Sequence, residues 1–201
     1  MNFKKLLVTL LAAVLLLSSC GKTTEDTTAG ENTDSAVTDT VPGDTAEGET
    51  VASPLTSADE VVSFLDSDVY SQCPADQLPM MLMSMPLDLS DMDGVTYHTG
   101  LTDTTGINDI IISESGVGSI AYSLVYLRTD GTKTAEIQET LGSSINPRKW
   151  VCVGAEYIAS VTLDSDVVLV MGAQDQVDMV MDAVLTAAEG KFTNIGSVVT
   201  H

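Results

Sequence analysis

Hydrophobic residues recur at helical spacing in three stretches of the chain, which predict helices over about 58–67, 135–141 and 177–188. The first stretch opens on Ser57-Ala58-Asp59-Glu60, which has the form of a helix-capping box. The last carries an i, i+3, i+4, i+7, i+8, i+11 stripe formed by Val177, Val180, Met181, Val184, Leu185 and Ala188. A further apolar segment, 74–86, contains three prolines and is typical of either a short helix or an extended segment.

Period-two and continuous apolar runs predict five strands, over about 95–98, 109–112, 120–127, 157–163 and 167–171. The segment 120–127 has apolar residues on both of its faces, which indicates a central strand. We expect it to pair with 109–112 across the glycine-containing turn at 115–119. Asp164-Ser165-Asp166 separates the last two strands and predicts a second hairpin.

The order of these elements is helix, strands, helix, hairpin and helix, which predicts an α+β fold. We expect an antiparallel sheet with helices packed on one face, as in a two-layer sandwich. Residues 57–201 then form a single domain, because about 145 residues are enough to bury roughly two-thirds of the surface of the unfolded chain in one core.

The N-terminal residues have the pattern of an export signal. Lys4 and Lys5 precede an apolar run over residues 6–17, and Ser18-Ser19-Cys20 follows. This arrangement predicts a signal peptide over residues 1–19, too short to span a membrane. A leucine, two small residues and then cysteine resembles the lipobox of bacterial lipoproteins, whose cysteine thiol receives a diacylglyceryl group. The resemblance implies lipidation of Cys20 and a place on the extracytoplasmic face of the cell membrane; the alternative is an ordinary secreted protein.

Between this signal and the first predicted helix, residues 20–56 are mostly threonine, aspartate, glutamate, glycine and alanine, with no aromatic residue. A segment of this kind cannot bury a core, so we expect a disordered acidic tether. Its simplest role is that of a spacer between a lipid anchor and the domain. The alternative is a segment that recruits a partner through its charge.

The charge of the chain narrows the set of partners. It has 29 acidic and 8 basic residues and a formal net charge of −21. Such a chain repels phosphate backbones, which excludes nucleic acid as a partner and argues against electrostatic docking on an anionic membrane. Cations and basic protein surfaces are the partners that this charge favours.

Two sets of sulfur-containing residues are candidates for site chemistry. Cys73 and Cys152 lie outside the signal, and in an oxidising compartment they form either a disulfide or two separate buried thiols. A methionine cluster is made up of Met80, Met81, Met83 and Met85. Thioethers at this spacing are ligands for Cu(I), whereas the alternative is that they fill an irregular core or line a pliable protein-binding surface.

Part of the domain resembles a small domain of unknown function found in lipoproteins of anaerobic Gram-positive bacteria. The features in common lie within about 118–185: the two-faced strand over 120–127, a helix, the aromatic-containing Lys149-Trp150, the second hairpin and the terminal amphipathic helix. The resemblance supports the location and the α+β fold. It implies no activity and no catalytic residue.

Enzyme machinery has little support in the sequence. The only histidines are His98, in a predicted strand, and His201, and neither a Gly-x-Ser-x-Gly nor a Ser-x-x-Lys motif occurs. A Cys-His pair that uses Cys73 or Cys152 with His98 is one formal arrangement for nucleophilic catalysis, and the alternative is a surface or core role for these residues. Arg148-Lys149-Trp150 is either a grip for an anionic ligand or a solvated strand start.

From these observations we expect a membrane-anchored, non-enzymatic binding or assembly module with a cell-envelope protein as its partner. No catalytic residue or cofactor is assigned. The alternative is a lipoprotein that binds Cu(I) or another metal through its methionines, and a hydrolytic enzyme comes third.

Overall fold

Six strands form one antiparallel sheet in the order β1-β2-β3-β5-β4-β6. The computed structural model describes residues 51–201, so the predicted signal peptide, Cys20 and tether residues 20–50 lie outside the described part. The strands are β1 Leu82–Pro86, β2 Ile107–Ser115, β3 Ser123–Thr129, β4 Tyr157–Leu163, β5 Asp166–Gly172 and β6 Val199–Thr200. The α-helices are α1 Ala58–Ser63, α2 Met92–Thr99, α3 Thr134–Ser144 and α4 Gln174–Ala188.

The predicted strand pairings are confirmed. β2 pairs with β3 so that Ile110 lies opposite Leu127, and β3 is a central strand between β2 and β5. The second hairpin joins β4 to β5 with Leu163 opposite Asp166. Two apolar runs joined by a short turn are enough to predict such pairings.

Both faces of the sheet are covered by helices. On one face, Leu124 and Tyr126 of β3 belong to the same buried cluster as residues of α1 and α4. On the other face, Val125 and Leu127 belong to a cluster with residues of α2 and α3. The α+β class and the antiparallel sheet are therefore as predicted, but the placement of all helices on one face is corrected to three layers. The physical reason is that β3 and β5 are apolar on both faces, and each apolar face must be removed from water.

The start of the domain lies earlier than composition predicts. Ser57 caps α1 by accepting a hydrogen bond from the N–H of Glu60, as expected, and a π-helical turn, Phe64–Val69, continues the helix. Residues 53–56, assigned above to the tether, contact the folded domain. Leu55 is buried, and its carbonyl accepts a 2.9 Å hydrogen bond from Nε of Arg128.

Two local predictions have different outcomes. The segment 95–98, predicted as a strand, belongs to helix α2, which Asp91 caps by accepting a hydrogen bond from the N–H of Gly94 and which ends at Gly100 with a left-handed φ of 77°. For 74–86 the extended alternative is the one observed, as β1. Among the described residues, no helix has the length and hydropathy needed to cross a membrane.

Candidate functional site

The methionines of the predicted cluster lie at an open edge of the sheet. β1 is the first strand of the sheet and has a neighbour, β2, on one side only. Met80, Met81, Met83 and Met85 are 69%, 66%, 49% and 40% exposed, respectively. We call these four residues the methionine edge. Their exposure excludes the interpretation in which they fill a core, and the protein-binding and metal-binding interpretations remain.

The backbone of β1 offers hydrogen-bonding groups to solvent. The N–H of Gly116 donates to the carbonyl of Met81 over 3.0 Å, and the N–H of Leu87 donates to the carbonyl of Ile110 over 2.8 Å. In an antiparallel pair, alternate residues bond to the neighbouring strand, so the odd-numbered residues of this segment face β2. The N–H and C=O groups of Leu82 and Ser84 therefore point away from the sheet.

The side chains of β1 separate onto two faces. Leu82 packs against the cluster that contains α1 and α4, and Oγ of Ser84 donates to Oδ1 of Asp66 over 2.6 Å on that side. Met83 lies opposite Glu114 and Met85 opposite Ile112, so both methionines share the face covered by α2. The backbone edge and this pair of thioethers are thus separate features of one strand.

The surroundings of the methionine edge are acidic. Between residues 51 and 127 the chain contains no lysine or arginine, and this interval includes α1, β1, α2 and β2. The cations that follow are largely paired: Arg128 with Asp109, Lys191 with Asp68, and Lys149, which lies in the ion cluster beside Met83, with Glu114. A cationic partner is therefore favoured at this side of the molecule.

A partly buried ion cluster lies beside Met83. It consists of His98, Glu114, Ser123 and Lys149. Oε1 of Glu114 is 2.5 Å from Nζ of Lys149, 2.8 Å from Oγ of Ser123 and 3.2 Å from Nδ1 of His98. The carbonyl of His98 also accepts from Nζ of Lys149 over 3.1 Å. α2, β2, β3 and the loop after α3 each supply one member, so only the fold brings them together.

Within this cluster, Glu114 and Lys149 form an ion pair. Burial alone raises the pKa of Glu114, but the hydrogen bond from His98 and the charge and hydrogen bond of Lys149 lower that pKa to about 2. Burial lowers the pKa of Lys149, and Glu114 opposes that shift. With 1% of its side chain exposed, Lys149 is neither a solvated strand start nor a grip for an anionic ligand. Both sequence interpretations of this lysine are thereby corrected.

The two cysteines of the domain are free thiols, so the disulfide considered between them is not formed. Cys73 is buried in the cluster that contains α1 and α4, and burial raises its pKa. Cys152 is exposed in an open groove of about 540 Å³, where Trp150 and Ala155 pack against the opposite cluster. The sheet lies between the two thiols. The alternative of a buried thiol holds for Cys73 and not for Cys152.

A serine-histidine contact that the sequence does not reveal lies at the other edge of the sheet. Nε2 of His201 is 2.8 Å from Oγ of Ser160, which also accepts a 3.0 Å hydrogen bond from the side chain of Gln138. Ser160 is fully buried, so its hydroxyl is out of reach of a substrate. Neither Cys73 nor Cys152 makes a hydrogen bond with His98 in the described part of the chain.

Among the described residues, no group of three or more His, Cys, Asp or Glu side chains is placed to hold a metal ion. A metal at this site would have to be one that thioethers bind. Comparison with protein-family models, with curated proteins and with solved structures gives no match to this chain. The resemblance to the lipoprotein domain of unknown function therefore stays a prediction.

Proposed function

We propose that this chain is a lipid-anchored, extracytoplasmic binding module that captures an extended, basic segment of a cell-envelope protein at the methionine edge. The observation that carries the proposal is the open side of β1, where four exposed methionines flank unpaired backbone groups. The lipid anchor is inferred from the first twenty residues, in which two lysines, an apolar run and then Cys20 follow one another.

Strand addition is the binding mode that this edge favours. Main-chain groups of Leu82 and Ser84 point outward and can pair with an extended peptide. Each such hydrogen bond contributes about 0.5–1.5 kcal/mol. Pro86 has no N–H to offer, so pairing stops there and the added strand is short. A short edge of this kind also resists uncontrolled edge-to-edge aggregation.

The methionine side chains supply the apolar part of the interaction. They are unbranched and polarisable, so they adapt to partners of different shape. Covering a largely exposed methionine contributes on the order of 1 kcal/mol or more. Exposed apolar groups gathered on one edge are typical of a protein-docking surface rather than of an ordinary solvated surface.

The charge of the partner follows from the charge of the site. An acidic surface without lysine or arginine from residue 51 to residue 127 attracts a segment that carries basic side chains. A second copy of the same chain, with its own net charge of −21, is repelled. The occupant is therefore a different protein whose exposed segment alternates apolar and basic residues.

Binding of a synthetic peptide tests the capture. The probe is a short fluorescent peptide of alternating lysine and valine, titrated with the full chain and followed by fluorescence anisotropy. Ser84→Pro removes an outward N–H but none of the hydrogen bonds between β1 and β2, so we expect it to abolish binding. Ser84→Ala keeps the N–H and loses only the side-chain hydrogen bonds to Asp66 and Ser113, so it should bind like the unmodified protein.

Two results would overturn the capture proposal. One is equal binding by the Ser84→Pro and Ser84→Ala variants. The other is equal binding of a peptide with glutamate in place of lysine, since that peptide reverses the charge complementarity. The anchor is tested separately by Cys20→Ser, which should release the chain from the membrane fraction; a variant that stays in that fraction contradicts lipidation at Cys20.

A further inference from the structure

The ion cluster orients the imidazole ring of His98. Oε1 of Glu114 lies 2.5 Å from the ammonium of Lys149, and an ammonium only donates, so this carboxylate oxygen acts as a hydrogen-bond acceptor. Nδ1 of His98, 3.2 Å from Oε1 of Glu114, must therefore carry the proton. In the neutral imidazole, Nε2 is then left with its lone pair, and it has no hydrogen-bond partner among the described residues.

This arrangement is the one that supports a metal-binding histidine. Histidine ligands usually donate their second ring N–H to a carboxylate, which fixes the tautomer and turns the ring. Here Glu114 has that position, and it is itself held by Lys149 and Ser123. The side chain of His98 is 21% exposed, so the ring remains accessible from solvent.

Thioethers lie on the same face of the sheet, next to this histidine. Met83 is directly opposite Glu114 in the β1–β2 ladder, and Met85 follows two residues later on the same face. His98 contacts the same Glu114 from α2. Met83 and His98 therefore flank one carboxylate, from the neighbouring strand and from the covering helix respectively.

The geometry points to a soft-metal site for Cu(I), with Nε2 of His98 and the sulfurs of Met83 and Met85 as ligands and Glu114 as the residue that positions the imidazole. Thioether and imidazole are the donor types that Cu(I) accepts, and two thioethers with one imidazole form a three-coordinate site. Metal ions that prefer carboxylate ligands do not suit this site, because Oε1 of Glu114 already has three hydrogen-bonding neighbours.

This inference goes beyond the capture of an extended segment: the two share the side chains of Met83 and Met85, but not the backbone groups that pair with the segment. Strand addition uses backbone groups in the plane of the sheet at Leu82 and Ser84, whereas the metal ligands are side chains above the sheet. Ser84→Pro is therefore expected to leave Cu(I) binding unchanged.

Competition with a chromophoric Cu(I) chelator tests the site. The full chain is used with Cys20→Ser and Cys152→Ser, which remove competing thiols; Cys73 is buried. We expect one equivalent of Cu(I) to be withdrawn from the chelator. The double variant Met83→Leu/Met85→Leu should bind at least about tenfold more weakly. His98→Gln, which can still donate a hydrogen bond to Glu114, should have the same effect.

Matched controls separate a local site from general thioether binding. Met80→Leu removes an exposed methionine outside β1, and His201→Gln removes a histidine whose Nε2 is occupied by Ser160. Both should bind Cu(I) like the parent. Addition of Ag(I), a redox-inert substitute, should shift the ¹⁵N resonance of His98 Nε2 and leave its Nδ1 protonated.

The proposal is overturned if the parent withdraws no Cu(I), if His98→Gln binds as tightly as the parent, or if Met80→Leu weakens binding as much as the double variant. Retained peptide capture in any of these cases leaves the proposed function standing. Loss of peptide capture by Ser84→Pro with Cu(I) binding unchanged confirms that the two sites are distinct.

Discussion

Glu114 and Asp166 are both carboxylates enclosed by the same sheet, yet their pKa values move in opposite directions. That of Glu114 falls to about 2, whereas that of Asp166 rises to about 6. Glu114 has the ammonium of Lys149 at 2.5 Å. Asp166 is fully buried and is hydrogen-bonded only by neutral hydroxyls: Oδ2 accepts from Tyr126 over 2.7 Å and from Ser53.

At Glu114, the hydrogen bond from His98 together with the charge and hydrogen bond of Lys149 outweighs the effect of burial on the pKa. Burial raises the pKa of Asp166, and the hydrogen bonds from Ser53 and Tyr126 offset only part of that effect. The charge of Arg128 also lowers the pKa of Asp166, but its guanidinium forms an ion pair with Asp109. The second oxygen of Asp166, Oδ1, has no partner among the described residues.

The two carboxylates therefore stabilise the fold in different pH windows. Glu114, with its lowered pKa, contributes stability above about pH 4.5, the ordinary value for glutamate, and that contribution is lost as the pH falls toward 2. Asp166, with its raised pKa, contributes stability below pH 3.8, and that contribution is lost as the pH rises through about 6. Only the pH dependence caused by Asp166 extends to the range near neutrality.

The largest effect is expected from Lys149→Met, which removes the cation and makes Glu114 resemble Asp166. Leaving a buried carboxylate without its partner costs about 3–5 kcal/mol, measured as a loss in the free energy of unfolding in urea at pH 7. The double variant Glu114→Gln/Lys149→Met should lose less than the sum of the two single variants, because neither charge is then left alone. A loss below about 1 kcal/mol in the single variant would contradict the pairing.

Asp166→Asn should remove a pH dependence that the unmodified protein shows. We expect the free energy of unfolding of the unmodified protein to fall by about 2–3 kcal/mol as the pH rises from about 4 to about 7, because the pKa of Asp166 is raised. The asparagine variant should gain stability relative to the unmodified protein over that interval, as followed by urea unfolding. Asp178→Asn, at an exposed position of α4, is the control, and its free energy of unfolding should follow that of the unmodified protein over the same pH interval.

Ser53→Ala is expected to have the smallest effect, about 1–2 kcal/mol, since it removes one hydrogen bond to a charged group. It should also move the pH-dependent loss of stability to higher pH, because the hydrogen bond from Ser53 lowers the pKa of Asp166. Ser63→Ala, on the exposed side of α1, is the matched control. Equal stability of the two variants would mean that residues 53–56 do not belong to the domain.

Much of the fold was predictable where neighbours in sequence are neighbours in space. The stripe that ends at Ala188 lies in α4, Ser57 caps α1, and the two predicted hairpin pairings are present. The strand predicted at 95–98 was wrong because four residues fit a period of two and a period of 3.6 equally well. The cap at Asp91 and the left-handed Gly100 bound the helix, and weighing them together would have identified it.

The candidate site was predictable only in part. The composition shows a run of methionines, but an apolar residue at an open edge and one in a core have the same local pattern. The ion cluster had no signal in the sequence, since His98, Glu114 and Lys149 come from distant segments and Lys149 stands in what resembles a solvated basic run. The free cysteines show the same limit, because the sheet separates Cys73 from Cys152.

By itself, the sequence determined most of the local elements, the central place of β3 and the acidic charge, because periodicity, capping and charge act over a few residues or over the chain as a sum. Only the tertiary structure decided which apolar faces the helices cover, which strand is left at the edge and which carboxylate meets a cation. Those outcomes depend on contacts between segments far apart in the chain, and a contact of that kind leaves no periodic trace in either segment.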